Sequence, residues 1–235
     1  MGPRIFALLA GWLLPLSAMS QVADIFYYEI EPGKAVEAYE LLNEAARIAD
    51  ETEMTLALHF QRYGPGGDGV VIWAEFYEDA FHREKVRYKG EAWEQYFNDK
   101  WYPQSALRPI DSYSMALIDE PESGVFVVDQ YSFAPRPNLE TEAISAMKET
   151  QKMFEDAGFK VDLWMQDEGS LGHLEFVALS TTWEERAANL KRLSEDPRIG
   201  SLRSLWFDSR ELAEPVSQRT FYNIRVANQR LTPNQ

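Results

Sequence analysis

One order of apolar periodicities occurs twice in this chain, and that repetition restricts the folds open to it more than any other feature. Residues 23–30 are aromatic and β-branched, as strands prefer, and Pro32-Gly33 ends the run. From Lys34 to Asp50 the apolar positions Val36, Tyr39, Leu42, Ala46 and Ala49 recur at the spacing of an amphipathic helix. Met54, Leu56, Leu58 and Phe60 then alternate with Thr55, Ala57, His59 and Gln61, which predicts a strand with two distinct faces. The glycine-rich run from Gly64 to Gly69 is a turn. Val70 to Tyr77 is a nearly continuous apolar strand, and a charged helical stretch follows from Asp79 to about Trp101, interrupted at Gly90. A strand over residues 110–118 closes the series.

The same order then returns. Val125 opens a strand that runs to Phe133, and Asn138 is expected to cap a helix carrying Ile144, Met147 and Phe154, with Gly158 ending it. Phe159, Val161, Leu163 and Met165 alternate 105 residues after Met54, Leu56, Leu58 and Phe60, and Trp101 and Trp206 are also 105 apart. Gly169 and Gly172 mark a turn, residues 174–179 a strand, residues 182–206 a helical region and residues 216–225 a final strand. A period of this length is too long for a solenoid and marks a duplicated domain. The predicted organisation is two tandem α+β units of β-α-β-β-α-β order, the ferredoxin-like arrangement, at 21–119 and 125–230, joined by an acidic linker at 120–124. Strands 70–77 and 125–133 are apolar on both faces, so the sheet face away from the helices is expected to be buried too. The other copy is the natural cover, sheet against sheet, with a space between them. One chain is then sufficient for the barrel, and further homodimerisation is left open.

Residues 1–20 combine Arg4, an apolar run from Ile5 to Leu16, and small residues at Ala18 and Ser20, the pattern of a cleaved secretory signal with Gln21 as the mature start. The run contains Gly11 and Pro15 and is too short to span a bilayer, so no stable membrane anchor is expected after cleavage, and the location is periplasmic or secreted. The formal net charge is −15 at pH 7, with no basic cluster, which argues against nucleic acid as a partner. The chain has no cysteine, which excludes disulfides, thiolate catalysis and Cys-based metal sites.

The sequence resembles the dimeric α+β barrel superfamily and, within it, NIPSNAP-type domains. Thr182-Trp183-Glu184-Glu185-Arg186-Ala187-Ala188 and Leu193-Ser194-Glu195-Asp196-Pro197 are similar to the family's helix after the third strand; Ile72-Trp73-Ala74-Glu75-Phe76 and Phe81-His82-Arg83 are a weaker version. Ile30-Glu31-Pro32-Gly33-Lys34 resembles its strand-to-helix turn, from which Ala134-Pro135-Arg136-Pro137 departs. The resemblance implies two ferredoxin-like units facing into a barrel. It leaves activity open, because the superfamily includes cofactor-free monooxygenases, haem-binding and haem-degrading enzymes and isomerases.

Few residues are equipped for chemistry. His59 shares a strand face with Thr55, Ala57 and Gln61, and as a barrel-lining residue would be a base or haem ligand; Trp164 is its counterpart. His173 and Glu175 lie two apart on one strand where the first copy has Val70 and Ile72, placed to share a proton, contact a ligand or supply two ligands to a metal, too few for a metal motif. Glu75, between Trp73 and Tyr77 on its face, is a carboxylate among aromatics whose pKa desolvation would raise. Trp73, Trp164 and Phe176 are large enough to fill the barrel or to contact a ligand there. Haem-binding relatives use a helix histidine, and His82 is the one so placed, although a surface role beside Arg83 and Glu84 is the more ordinary reading. No metal motif is evident, and no cofactor apart from haem is suggested. Three functions follow. The leading one is binding of a small apolar or aromatic molecule between the halves. The others are a cofactor-independent or haem-assisted oxidoreductase using Glu75, His59 or the His173/Glu175 pair, and a structural protein with a filled barrel.

Overall fold

The computed structural model describes residues 21–118, 126–168 and 172–227; the expected leader, the linker at 120–124 and Gly169 lie outside the described residues. The first half comprises β1 (Val22–Ile30), α1 (Ala35–Asp50), β2 (Thr55–Tyr63), β3 (Val70–Tyr77), α2 (Ala80–Val86), α3 (Glu91–Tyr96) and β4 (Leu107–Leu117). The second comprises β5 (Val127–Pro135), α4 (Glu140–Asp156), β6 (Lys160–Glu168), β7 (Leu174–Ser180), α5 (Trp183–Glu195), α6 (Ile199–Arg203) and β8 (Ala213–Ala227).

The eight strands form one closed barrel in the order β1-β3-β2-β8-β5-β7-β6-β4, and every neighbouring pair is antiparallel. Each half has the ferredoxin-like order, β4-β1-β3-β2 and β8-β5-β7-β6. The halves do more than face each other. β8 pairs with β2 and β4 pairs with β6, so each half's last strand closes the other's open edge. Closure removes the free edges that an isolated four-stranded sheet would present. The fold is a dimeric α+β barrel made by a single chain.

Side chains alternate between two environments along each strand. Outward residues pack under helices, in one cluster holding Leu42, Leu58, Trp73 and Trp93 and another holding Met147, Phe154, Phe176 and Trp206. Inward residues form a third cluster that includes Ile25, Ile72, Trp164, Leu179 and Phe221. Both faces of β3 and β7 are therefore covered, as their continuous apolar character requires.

Two local expectations change. Asn138 does not cap α4; it occupies the left-handed region (φ 66°) in the preceding turn, a conformation asparagine tolerates, and Leu139 holds the cap position without a side-chain bond. The helical stretch expected over 182–206 is broken at Asp196-Pro197, whereas the first stretch is interrupted around Tyr88 (φ 52°) and Gly90 (φ 102°), as its sequence suggests. The helices after the third strands start alike: Asp79 accepts from His82 N–H, and Thr182 accepts from Glu185 N–H. At Gly64 (φ 135°) the chain passes so close to β8 that a Cβ would stand 2.9 Å from the Gln218 carbonyl oxygen, so glycine is required there.

Candidate functional site

The barrel interior carries a polar layer that runs across both halves. Glu175 on β7 is fully buried and points inward with Val177 and Leu179. Its Oε2 accepts from Ser132 Oγ at 2.7 Å and Gln130 Nε2 at 3.1 Å, and its Oε1 accepts from Gln166 Nε2 at 2.5 Å. Gln130 Oε1 accepts from the Tyr27 hydroxyl (2.9 Å), Gln130 Nε2 also donates to Tyr113 Oη (3.0 Å), and the two tyrosine hydroxyls are 2.8 Å apart. Ser217 donates to Ser132 (3.0 Å), and Arg219 lies over the Tyr27 ring while donating to Gln61 (2.6 Å). Burial pushes the Glu175 carboxyl up to about 7, against the opposing pull of its three donors and Arg219. It is a carboxyl able to hold or release a proton near neutral pH.

His59 also faces inward, with its ring edge-on to Phe221 at 5.1 Å. Burial pushes its pKa down to about 4, so the ring is neutral, and Nδ1 has no hydrogen-bond partner. Asn223, opposite it on β8, likewise has an unpartnered buried Oδ1. Trp164 packs inward against Phe76 at 6.2 Å. His173 is half-buried immediately before β7.

Glu75, Trp73 and Phe176 are not in the barrel. Alternation places them on the outward faces of β3 and β7, beneath the helices. Glu75 is fully buried in a cage of donors: Trp73 Nε1 (2.7 Å), the Tyr77 hydroxyl (2.7 Å) and the Tyr88 hydroxyl. Arg87 Nε stands 3.1 Å from Oε2, an ion pair in which the N–H is not aimed along a hydrogen bond. Desolvation raises the Glu75 pKa, and Arg87 and the cage donors oppose it. With every donor supplied by the protein, this carboxylate reads as an anchor between sheet and helices. No two of His59, Glu75, His173 and Glu175 share a hydrogen bond among the described residues.

An open space of ligand size lies in the second half, between the outer sheet face and α4, α5 and α6. It is a cavity of about 400 Å³, walled by Phe154, Phe176, Leu193, Leu202, Trp206 and Phe207 among others, with Tyr131, Thr150 and Arg203 as its polar residues. That volume falls within the range of small-molecule sites, roughly 300–1,000 Å³. Phe176 thus lines a cavity, though not the one between the halves. Sequence patterning picked out Phe154, Phe176, Leu193 and Trp206 but neither Leu202 and Phe207 nor the cavity, because α6 and the residues after it follow the break at Pro197.

The cavity lining offers no histidine to a haem iron: His59 is inside the barrel, His173 precedes β7, and His82 accepts from Glu78 N–H through Nδ1 at the start of α2. Among the described residues no group of three His, Asp or Glu is placed to hold a metal ion, and no helix is long and apolar enough to cross a membrane.

No protein-family model matches the chain, and no curated protein does. Solved structures do. A candidate monooxygenase from Fusobacterium nucleatum is similar with a TM-score of 0.66 at 9% identity, over 90% of this chain and 96% of that one. An anthrone oxidase-like protein is similar at 0.58 and 14% identity, over 92% and 97%. A haem-binding protein from Thermus thermophilus is similar at 0.51 and 10% identity, over 88% and 92%. Likenesses this remote in sequence establish the shared barrel fold and no more.

Proposed function

We propose that this chain is an exported, NIPSNAP-like protein that binds a small apolar or aromatic molecule, in the second-half cavity and not between the two halves. The observation that carries the reading is the contrast between the two spaces. The barrel interior is occupied by its own side chains, among them Tyr27, Ile72, Trp164 and Phe221, each less than a tenth exposed. The second-half cavity has an aromatic and aliphatic wall in which few polar groups converge. The test is native mass spectrometry of protein recovered gently from a bacterial periplasm. A bound mass that disappears on denaturation, and is absent from a Leu202→Trp variant that blocks the cavity, supports the reading; a bound mass that survives that substitution overturns the assignment of the site. A mature chain beginning elsewhere than Gln21 overturns the proposed processing.

A second reading, a cofactor-independent oxidoreductase, is favoured by Glu175, a buried carboxyl poised near neutral pH within a fold shared with monooxygenase-like and oxidase-like proteins. It requires substrate to reach the barrel interior. Turnover of an aromatic substrate that disappears in Glu175→Gln while folding is retained would establish it.

A further inference from the structure

We infer that the molecule held in the second-half cavity is an amphipathic anion, a compact aromatic or branched hydrocarbon body carrying one carboxylate, whose charge is read by Arg203. The inference rests on the binding proposal above and deepens it.

The cavity's polar groups are already committed, with one exception. Trp206 Nε1 donates to Thr150 Oγ1 at 2.9 Å, and the Thr150 hydroxyl donates to the Ala146 carbonyl at 2.8 Å. The Tyr131 hydroxyl is engaged with Gln218. A ligand with polar groups along its body would leave them unpaired against Phe154, Phe176 and Leu193, so the buried part of the occupant is hydrocarbon.

Arg203 is the only charged residue of the lining, at the C-terminal end of α6. Its side chain is largely exposed, and its nearest carboxylate, Asp208, stands 3.9 Å from Nε, beyond hydrogen-bond range. The neighbouring Arg198 differs: it is locked between Asp156 at 2.8 Å and Asp196 at 2.6 Å. Arg203 therefore retains a planar fork of donors suited to a carboxylate. In a chain of net charge −15, a guanidinium held only by one long ion pair to Asp208 and set beside an apolar opening also supplies the attraction an anion needs to approach.

Three probes of one shape separate charge from hydrophobicity: 2-naphthoate, 2-naphthamide and 2-naphthylmethylammonium, titrated calorimetrically into the full chain at low salt. Naphthoate is expected to bind roughly fivefold more tightly than the amide, as suits a solvent-screened charge contact, with the ammonium weakest. Arg203→Gln should bring naphthoate down to the amide's affinity while leaving the amide unchanged, and Arg203→Lys should restore part of the difference. Equal binding of naphthoate and amide to the unmodified chain, or a preference that survives Arg203→Gln, overturns the charge inference while leaving the cavity intact. Failure of all three probes to bind, or binding indifferent to Leu202→Trp, overturns the cavity reading itself.

Discussion

A carboxyl such as Glu175, fully buried and protonated near neutrality, makes folding depend on pH in a defined direction. In the unfolded chain it titrates near 4.5, and in the barrel burial pushes it up to about 7. Between these values the folded protein retains a proton that the unfolded chain has released, so stability falls as pH rises through this window and levels off above it. The size of the effect is at most about 3 kcal/mol. Glu175→Gln should remove that component. Relative to wild type, the thermal midpoint of the variant should be lowest below about pH 4.5, gain steadily as pH rises to about 7, and keep a constant offset above it; parallel profiles would show that Glu175 is ionised in the native barrel. As a polar residue on an otherwise apolar strand, Glu175 was legible in the sequence. Its partners were not, because Tyr27, Tyr113, Gln130, Ser132 and Gln166 come from four other strands and meet only through barrel closure. Glu75, Trp73 and Phe176 expose the complementary difficulty. Alternation separates the two faces of a strand, but when both are buried it does not say which is the inside.

The helices are tied to the sheets by a device that appears once in each half. In the first, Asp24 of β1 accepts from Arg83 of α2 at 3.2 Å and from Ser114 of β4. In the second, Asp129 of β5 accepts a two-pronged contact from Arg186 of α5 at 2.6 and 2.8 Å and another from Thr220 of β8 at 2.6 Å. The sequence contains the signal, since Asp24 and Asp129 are 105 residues apart and Arg83 and Arg186 are 103 apart. It is inconspicuous because each pair is distant along the chain and the arginines resemble ordinary helix-surface residues. The two ties are unequal. Asp24 has a second cation, Arg87 at 3.2 Å, whereas among the described residues Asp129 has Arg186 alone as its countercharge. Arg186→Met should therefore cost about 3–5 kcal/mol by stranding a buried carboxylate, and Arg83→Met clearly less. Denaturant midpoints compare them directly, and equal losses would contradict the asymmetry.

At the scale of the molecule, the duplication was legible from periodicity, and so was the pairing of two sheets. The fusion of their edges was not, because backbone pairing at β2–β8 and β4–β6 leaves little imprint on side-chain pattern. The seams imply that neither half is complete alone. A fragment of residues 21–119 would present β2 and β4 as open edges, and the same pairing geometry is available from a second copy of itself. Such a fragment is expected to sediment as a homodimer or to aggregate; a stable folded monomer would show that the seams are dispensable. Those seams also govern the timing of assembly. β2 ends at Tyr63, and the edge it does not share with β3 finds its partner only in a strand that begins at Ala213, so the contact that completes the ring spans most of the polypeptide. Such long-range closure is slow and entropically late. A chain emerging amino end first, from a ribosome or through a translocation channel, cannot seal the ring until its eighth strand is free. Until then it displays the open edge of β2, the natural foothold for a chaperone.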